Sequence, residues 1–184
     1  MALGRRWVAA VALVLVAGGC ADDEPQPEFE PSAESSATAS DTSSPDPAAK
    51  QPWEKKTEAG AVAFAKHWVD VFSTAVNSGT SEPLRRISAP ACTACEAIVT
   101  RIDSIAADGG YYETPGWRVV HAVPSDGSPV GKTEVVLRVH QGKEKFKESA
   151  DSKVMRNPSS RATYSAVLEW QAGAWLMSDL APLS

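Results

Sequence analysis

The sequence predicts an α+β domain, with helices in the first part of the domain packed on an antiparallel sheet built from the second. Three observations predict it. Apolar residues recur every three or four positions between Glu58 and Ala107. From Trp117 onward the recurrence switches to alternation, the period of a half-buried strand. The last two alternating runs are separated by Gln171-Ala172-Gly173, which reads as a tight turn between antiparallel neighbours. Helices first and strands afterwards define this class.

From Glu58 to Val76, Ala61, Phe64, Ala65, Trp68, Val71, Phe72 and Ala75 form one stripe on a helical wheel, with Asp70 opposite. Thr57 suits the N-cap, and Asn77-Ser78-Gly79 suits the stop. Ser81 to Ile87 reads as a short second helix, with Pro83 in its first turn and Leu84 and Ile87 facing inward. A third helix runs from Ala91 to Ala107, with Cys95, Ile98, Val99, Ile102, Ile105 and Ala106 on its apolar face and Gly109-Gly110 ending it. In the first strand, Trp117 to Val123, the alternation puts Trp117, Val119, His121 and Val123 on one face. Thr133 to His140 turns Val135, Leu137 and Val139 inward and Glu134, Arg138 and His140 outward. Arg161 to Trp170 groups Ala162, Tyr164, Ala166, Leu168 and Trp170, and Ala174–Leu180 follows the turn.

Upstream of this domain the composition changes twice. Arg5 and Arg6 precede an apolar run from Trp7 to Val16, and Val16-Ala17-Gly18-Gly19 leads into Cys20. The run is shorter than the roughly 20 residues that span a bilayer. It has the charged start, apolar middle and small-residue cleavage site of a signal peptide. A cysteine placed first after that site looks like a bacterial lipoprotein signal, which implies removal of residues 1–19 and lipidation of Cys20. Several acyl chains, each contributing about 0.8 kcal/mol per buried CH₂, would hold the chain firmly at the extracellular face of the cell membrane.

Residues 20–56 read as a tether. Six prolines and many serines and threonines fall between Ala21 and Pro52, and Phe29 is the only large apolar residue there. Such a stretch cannot bury enough surface to offset the entropy of ordering it. As a flexible coil it spans roughly 30 Å. It also carries the charge: Ala21–Pro52 holds eight acidic residues and one basic, whereas residues 53–184 hold 15 of each. The net −5 of the chain is therefore not a property of the domain, residues 57–182, whose neutrality argues against nucleic acid as a partner.

Of the three cysteines, Cys20 is assigned to lipid, leaving Cys92 and Cys95. Export favours their oxidation, and residues three apart at a helix start lie roughly 5–6 Å apart, within disulfide range. Two readings follow. Cys-x-x-Cys at a helix N-terminus lowers a thiol pKa and suits a thiol oxidoreductase. A staple between the loop after Pro90 and the third helix suits the place of Cys95 on an apolar face, and no strand feeds the motif as in redox folds.

The long helix, small second helix, third helix and sheet ending in Leu168-Glu169-Trp170-Gln171-Ala172-Gly173-Ala174-Trp175-Leu176 resemble the nuclear transport factor 2-like, or SnoaL-like, cone. Ser88-Ala89-Pro90-Ala91-Cys92-Thr93-Ala94-Cys95 followed by Gly109-Gly110 resembles a family of actinobacterial lipoproteins of unknown function. The chain departs from the general cone in lacking a hairpin between the second and third helices. The first resemblance implies helices packed on a curved sheet around a cavity; the second supplies no catalytic residues.

The candidate pocket residues are His121, Tyr164, Trp68 and Tyr112. An inward His121 is the first suspect for acid–base chemistry of the kind SnoaL-like cyclases and isomerases perform; a core histidine bonded to backbone is the plainer reading. Tyr111-Tyr112 reads as a partly buried loop. Lys143, Lys145, Lys147, Lys153 and Arg156, interrupted by Glu144, Glu148 and Asp151, read as a solvated loop, with contact to anionic wall polymer or lipid headgroups as the second reading. No nucleophile elbow, phosphate loop or metal-ligand spacing is present, so no cofactor or metal is expected. The leading expectation is a lipid-anchored, non-enzymatic module meeting an envelope protein or a small apolar ligand.

Overall fold

The computed structural model describes residues 50–184; the signal peptide, Cys20 and the tether up to residue 49 lie outside the described residues. A short 3-10 helix (Pro52–Glu54) leads into α1 (Glu58–Ser78), α2 (Glu82–Arg86) and α3 (Thr93–Ala107). Seven strands follow: β1 (Tyr111–Glu113), β2 (Trp117–Pro124), β3 (Lys132–Gln141), β4 (Glu144–Lys147), β5 (Met155–Asn157), β6 (Ser160–Gln171) and β7 (Ala174–Leu183). They form two antiparallel sheets, a four-stranded one in the order β2-β3-β6-β7 and a three-stranded one in the order β1-β4-β5.

Local chemistry sets the helix ends. Thr57 caps α1 by accepting a hydrogen bond from the Gly60 amide, and Gly79 closes it in a left-handed conformation (φ 67°). Its buried stripe is Ala61, Phe64, Ala65, Trp68, Val69 and Ala75. The stripe meets Val135, Leu137 and Val139 of β3, Ala166 and Leu168 of β6 and Met177 of β7 in one core. Ala172 and Gly173 make the two-residue β6–β7 turn with positive φ at both positions (48° and 85°), the geometry that matches the twist of a hairpin.

The α2–α3 connection behaves as a fragment of strand. The Ala89 amide donates to the Met177 carbonyl (2.7 Å) and the Met177 amide to the Ile87 carbonyl (3.0 Å). Cys92 and Cys95 form a disulfide at the start of α3, and both are buried. Cys92 Sγ also accepts from the Cys95 amide (3.1 Å), the N-cap role usually given to an oxygen. Outside this staple, Arg85 of α2 bridges Glu96 (2.9 Å) and Asp103 (3.1 Å) of α3.

Three expectations need correction. Tyr111-Tyr112 lie in β1, and the lysine-rich stretch supplies β4 and β5, with only Lys143 and Lys153 of its cations left in loops. Phe146 is buried between Lys145 and Lys147, and its ring stacks on Tyr112 at 5.3 Å, so one apolar pair holds an otherwise charged sheet together. Residues 50–56, expected in the tether, are folded onto the domain: Trp53 stacks on His67 (4.3 Å, 1° between planes) and Trp175 Nε1 donates to the Lys55 carbonyl (2.9 Å). His121 does not face inward. The β2–β3 register shifts between Val119 and His121, and a bulge reverses the alternation of every residue after it. Val119 and Ala122 therefore pack against the core, while His121 and Val123 are exposed.

Candidate functional site

A file of aromatic rings runs from α1 to the large sheet. Trp68 of α1, without solvent exposure, stacks on Phe72 (5.8 Å); Phe72 meets the edge of Trp117 (4.8 Å); Trp117 stacks on Tyr164 of β6 (5.0 Å). Helical spacing aligns the first two, four residues apart on one face, and β2 and β6 present the others. The polar ends of this file are satisfied. Trp68 Nε1 donates to Ser88 Oγ (3.0 Å), which in turn donates to the Leu84 carbonyl (2.9 Å). Gln141 Nε2 donates to the Tyr164 hydroxyl (2.8 Å), and Ser160 Oγ donates to Gln141 Oε1 (2.6 Å). Burial raises the Tyr164 pKa, only partly offset by Gln141, so the phenol is a neutral acceptor at neutral pH. Among the described residues, every buried side-chain nitrogen or oxygen has a partner.

Gly116 lets β2 approach α1 beside this file. Its φ is +81°, and a Cβ there would lie 2.6 Å from Ser73 Cβ. The close approach lets Ser73 Oγ accept from the Trp117 amide at 2.9 Å, fixing the Trp117 ring on Phe72.

The open apolar space lies elsewhere, between the helices and the small sheet. Phe72 and Val76 of α1, Ala97, Ile98, Arg101 and Ile102 of α3, and Tyr112 and Glu144 line a cleft of about 370 Å³. That volume is within the range of small-molecule sites. Phe72, Val76, Ile98 and Tyr112 are only half-buried, so the cleft floor meets solvent. Arg101 closes one end through Glu148 (2.7 Å), an ion pair that raises the pKa of the guanidinium.

The sequence-predicted site residues thus separate. Trp68 lies in the core, Tyr164 is half-buried against it, Tyr112 lines the cleft, and His121 is exposed. Cys92 and Cys95 sit at the far end of α3 from Tyr112. His67 stacks on Trp53, and burial lowers its pKa more than Asp70 raises it. Sequence reasoning missed the cleft because its wall is β1 and β4. The available signal was the lone phenylalanine within Glu144-Lys145-Phe146-Lys147, a period-two pattern four residues long. Among the described residues, no three His, Cys, Asp or Glu side chains gather closely enough to hold a metal ion, and no helix is long and apolar enough to cross a membrane.

Three helices followed by a curved antiparallel sheet make an α+β cone of the nuclear transport factor 2-like class, which here lacks a hairpin between α2 and α3. The intermembrane space region of the chloroplast protein ARC6 shares this fold, with a TM-score of 0.55 at 11% identity, over 71% of this chain and 98% of that one. Aln2 from a Streptomyces species aligns at 11% identity with a TM-score of 0.42, over 64% of this chain and 85% of that one. A cystatin-like protein from Caulobacter vibrioides aligns at 15% identity with a TM-score of 0.40, over 65% and 87%. No curated protein matches the chain in sequence. The chain belongs to a family of unknown function, DUF6318, whose model matches residues 27–181.

Proposed function

We propose that this protein is a non-enzymatic binding module of the cell envelope, exported and held at the membrane by lipid on Cys20, and that it works through the cleft under Tyr112 rather than through the interior of the cone. The observation that carries this reading is the cleft itself, where half-buried Phe72, Val76, Ile98 and Tyr112 leave apolar surface open, while Trp68-Phe72-Trp117-Tyr164 stack ring on ring beside it. The position of His121 weighs against the acid–base alternative, since an exposed imidazole on the outer face has no enclosed substrate to act on. The burial of Cys92 and Cys95 weighs against thiol exchange, which needs an accessible sulfur. The sequence from Arg5 to Cys20 supports the anchor.

In-cell crosslinking tests the site. A photo-reactive residue at Ala97, exposed at the cleft rim, is expected to trap a ligand or partner, and one at His121 is not. Adducts from position 121 alone sink the reading. Palmitate labelling tests the anchor: label is expected on the wild-type chain and none on Cys20→Ser, which should appear in the medium.

A further inference from the structure

The solvent face of the large sheet gathers arginines. Val135, Leu137 and Val139 point into the core, so Val136, Arg138 and His140 face the other way. Register lays further cations beside them. Arg118 of β2 pairs with His140, and His140 with Arg161 of β6. His121, turned outward by the bulge, pairs with Arg138, and Arg138 with Thr163. Directly paired residues share a face. Arg138 is also the diagonal neighbour of Arg118 and Arg161, roughly 7–8 Å away and within reach of long side chains. Three guanidiniums and two imidazoles therefore fill two adjacent rows, and Arg118, His121, Arg138 and Arg161 are exposed.

Among the described residues these arginines have no counter-ion. The ion pairs there use Arg85, Arg86, Arg101, Lys132 and Lys145 instead. Glu134 shares the face but lies four residues from Arg138 along β3, roughly 13 Å, and already accepts from Ser165 Oγ. The domain is thus neutral only as a sum. Like charges held as neighbours on a sheet destabilise it, and no described carboxylate offsets them.

We propose that the segment Glu28–Glu34 of this chain docks on these rows, its carboxylates on Arg118, Arg138 and Arg161. The opposite charge lies in the same chain. Ala21–Pro52 holds eight acidic residues and one basic, and Glu28, Glu30 and Glu34 bring three of the acids, with Phe29, into seven residues. Arginine forks suit carboxylates because they bind them bidentately. Val120, exposed at the bulge, offers Phe29 an apolar contact. The family match, residues 27–181, takes in this segment although the described residues begin at Lys50. Reach is sufficient. Trp175 holds the Lys55 carbonyl, and its register partner Trp170 is nine residues from Arg161, roughly 30 Å along β6. The 20 residues from Glu30 to Lys50 would span about 25 Å as a coil and about 70 Å fully extended. A linker whose length matches the span gives a high effective concentration, so individually weak exposed ion pairs suffice. Docking here is independent of what the cleft binds.

The test uses the full chain carrying Cys20→Ser and Ser32→Cys. Cys92 and Cys95 are bonded to each other, so the one free thiol is at position 32. A nitroxide attached there broadens the signals of nearby amides. We expect broadening at Arg138, His140 and Thr163 and none at Ala97 and Ile98 of the cleft. Raising salt from about 0.1 to about 1 M, which shortens the Debye length from about 10 to about 3 Å, should remove it. Arg118→Gln, Arg138→Gln and Arg161→Gln together should also remove it. So should Glu28→Gln, Glu30→Gln and Glu34→Gln together, a set that leaves the described domain untouched. Each of the following would overturn the proposal: no broadening at these amides, broadening that outlasts either triple substitution, or broadening only of an unlabelled copy mixed with a spin-labelled one, which would make a second copy the occupant. If the label broadens nothing while inorganic polyphosphate shifts the same amides, the face belongs to an external polyanion and the proposal falls.

Discussion

The two sheets of this domain use apolar surface in opposite ways. In the four-stranded sheet, Val135, Leu137, Val139, Ala166, Leu168 and Met177 are essentially without solvent exposure and interlock with α1. In the three-stranded sheet, a single buried residue, Phe146, stands among Glu144, Lys145 and Lys147, and its stacking partner Tyr112 is half-buried. The first region is closed and the second incompletely covered. Close packing and open apolar surface are thus divided between two sheets, and the open surface sits where losing it threatens the fold least.

Four perturbations put that contrast at risk. Trp68→Ala should have the largest effect, on the order of 4 kcal/mol, because it opens a cavity in the closed region and orphans the file at Phe72. Urea denaturation measures it; a loss comparable to that of a surface substitution would mean the interior is not close-packed. Phe146→Ala should cost about 3 kcal/mol locally. Hydrogen exchange should show protection lost in β1, β4 and β5 and kept in β3 and β6; uniform loss would show that the two sheets unfold as one. Replacing Cys92 and Cys95 with serine should lower stability by about 2 kcal/mol, the chain-entropy value for so short a loop, with the fold retained. Refolding into a different register at the α2–α3 connection, seen as lost protection at Ala89 and Met177, would show that the staple also selects structure.

The smallest effect is a pH dependence at His67. Burial disfavours its charged form in the fold more than Asp70 favours it, so its pKa lies below the ordinary 6.5. The unfolded chain then takes up the proton first. The contribution of this residue is fully present above about pH 6.5 and is lost as pH falls through the folded value. Removing the stacked ring with Trp53→Ala should move the His67 titration, followed by NMR, back toward 6.5; no movement would mean Trp53 does not supply the burial.

The closed region was legible in the sequence, and the open one was not. Long runs with many matching positions announced α1 and α3, and alternate apolar positions announced β3 (Val135, Leu137, Val139) and β6 (Ala162, Tyr164, Ala166, Leu168, Trp170). Their inward faces could be read because a one-residue slip would expose every apolar side chain. The small strands are three or four residues long, so periodicity has almost nothing to count. They form because Tyr112 and Phe146, 34 positions apart, meet over α3, a tertiary event invisible to local propensity. His121 was misplaced for a related reason: one extra residue in β2 inverts every later side chain, and no residue type at Val120 announces it. Of the candidate site, Ile98 and Ile102 could be named as inward-facing and Tyr112 as a pocket candidate, but not which open space they shared.

The clamp on the entering chain has a mechanical consequence. Any pull transmitted from the residues before Lys50 reaches Trp53 on His67 and the Lys55 carbonyl on Trp175 before it reaches the first turn of α1. One ring stack and one hydrogen bond are weaker than the interlocked core behind them, so under tension they release first. Under the lipid anchoring proposed above, drag on the domain would free a few residues ahead of α1 and leave the folded body whole.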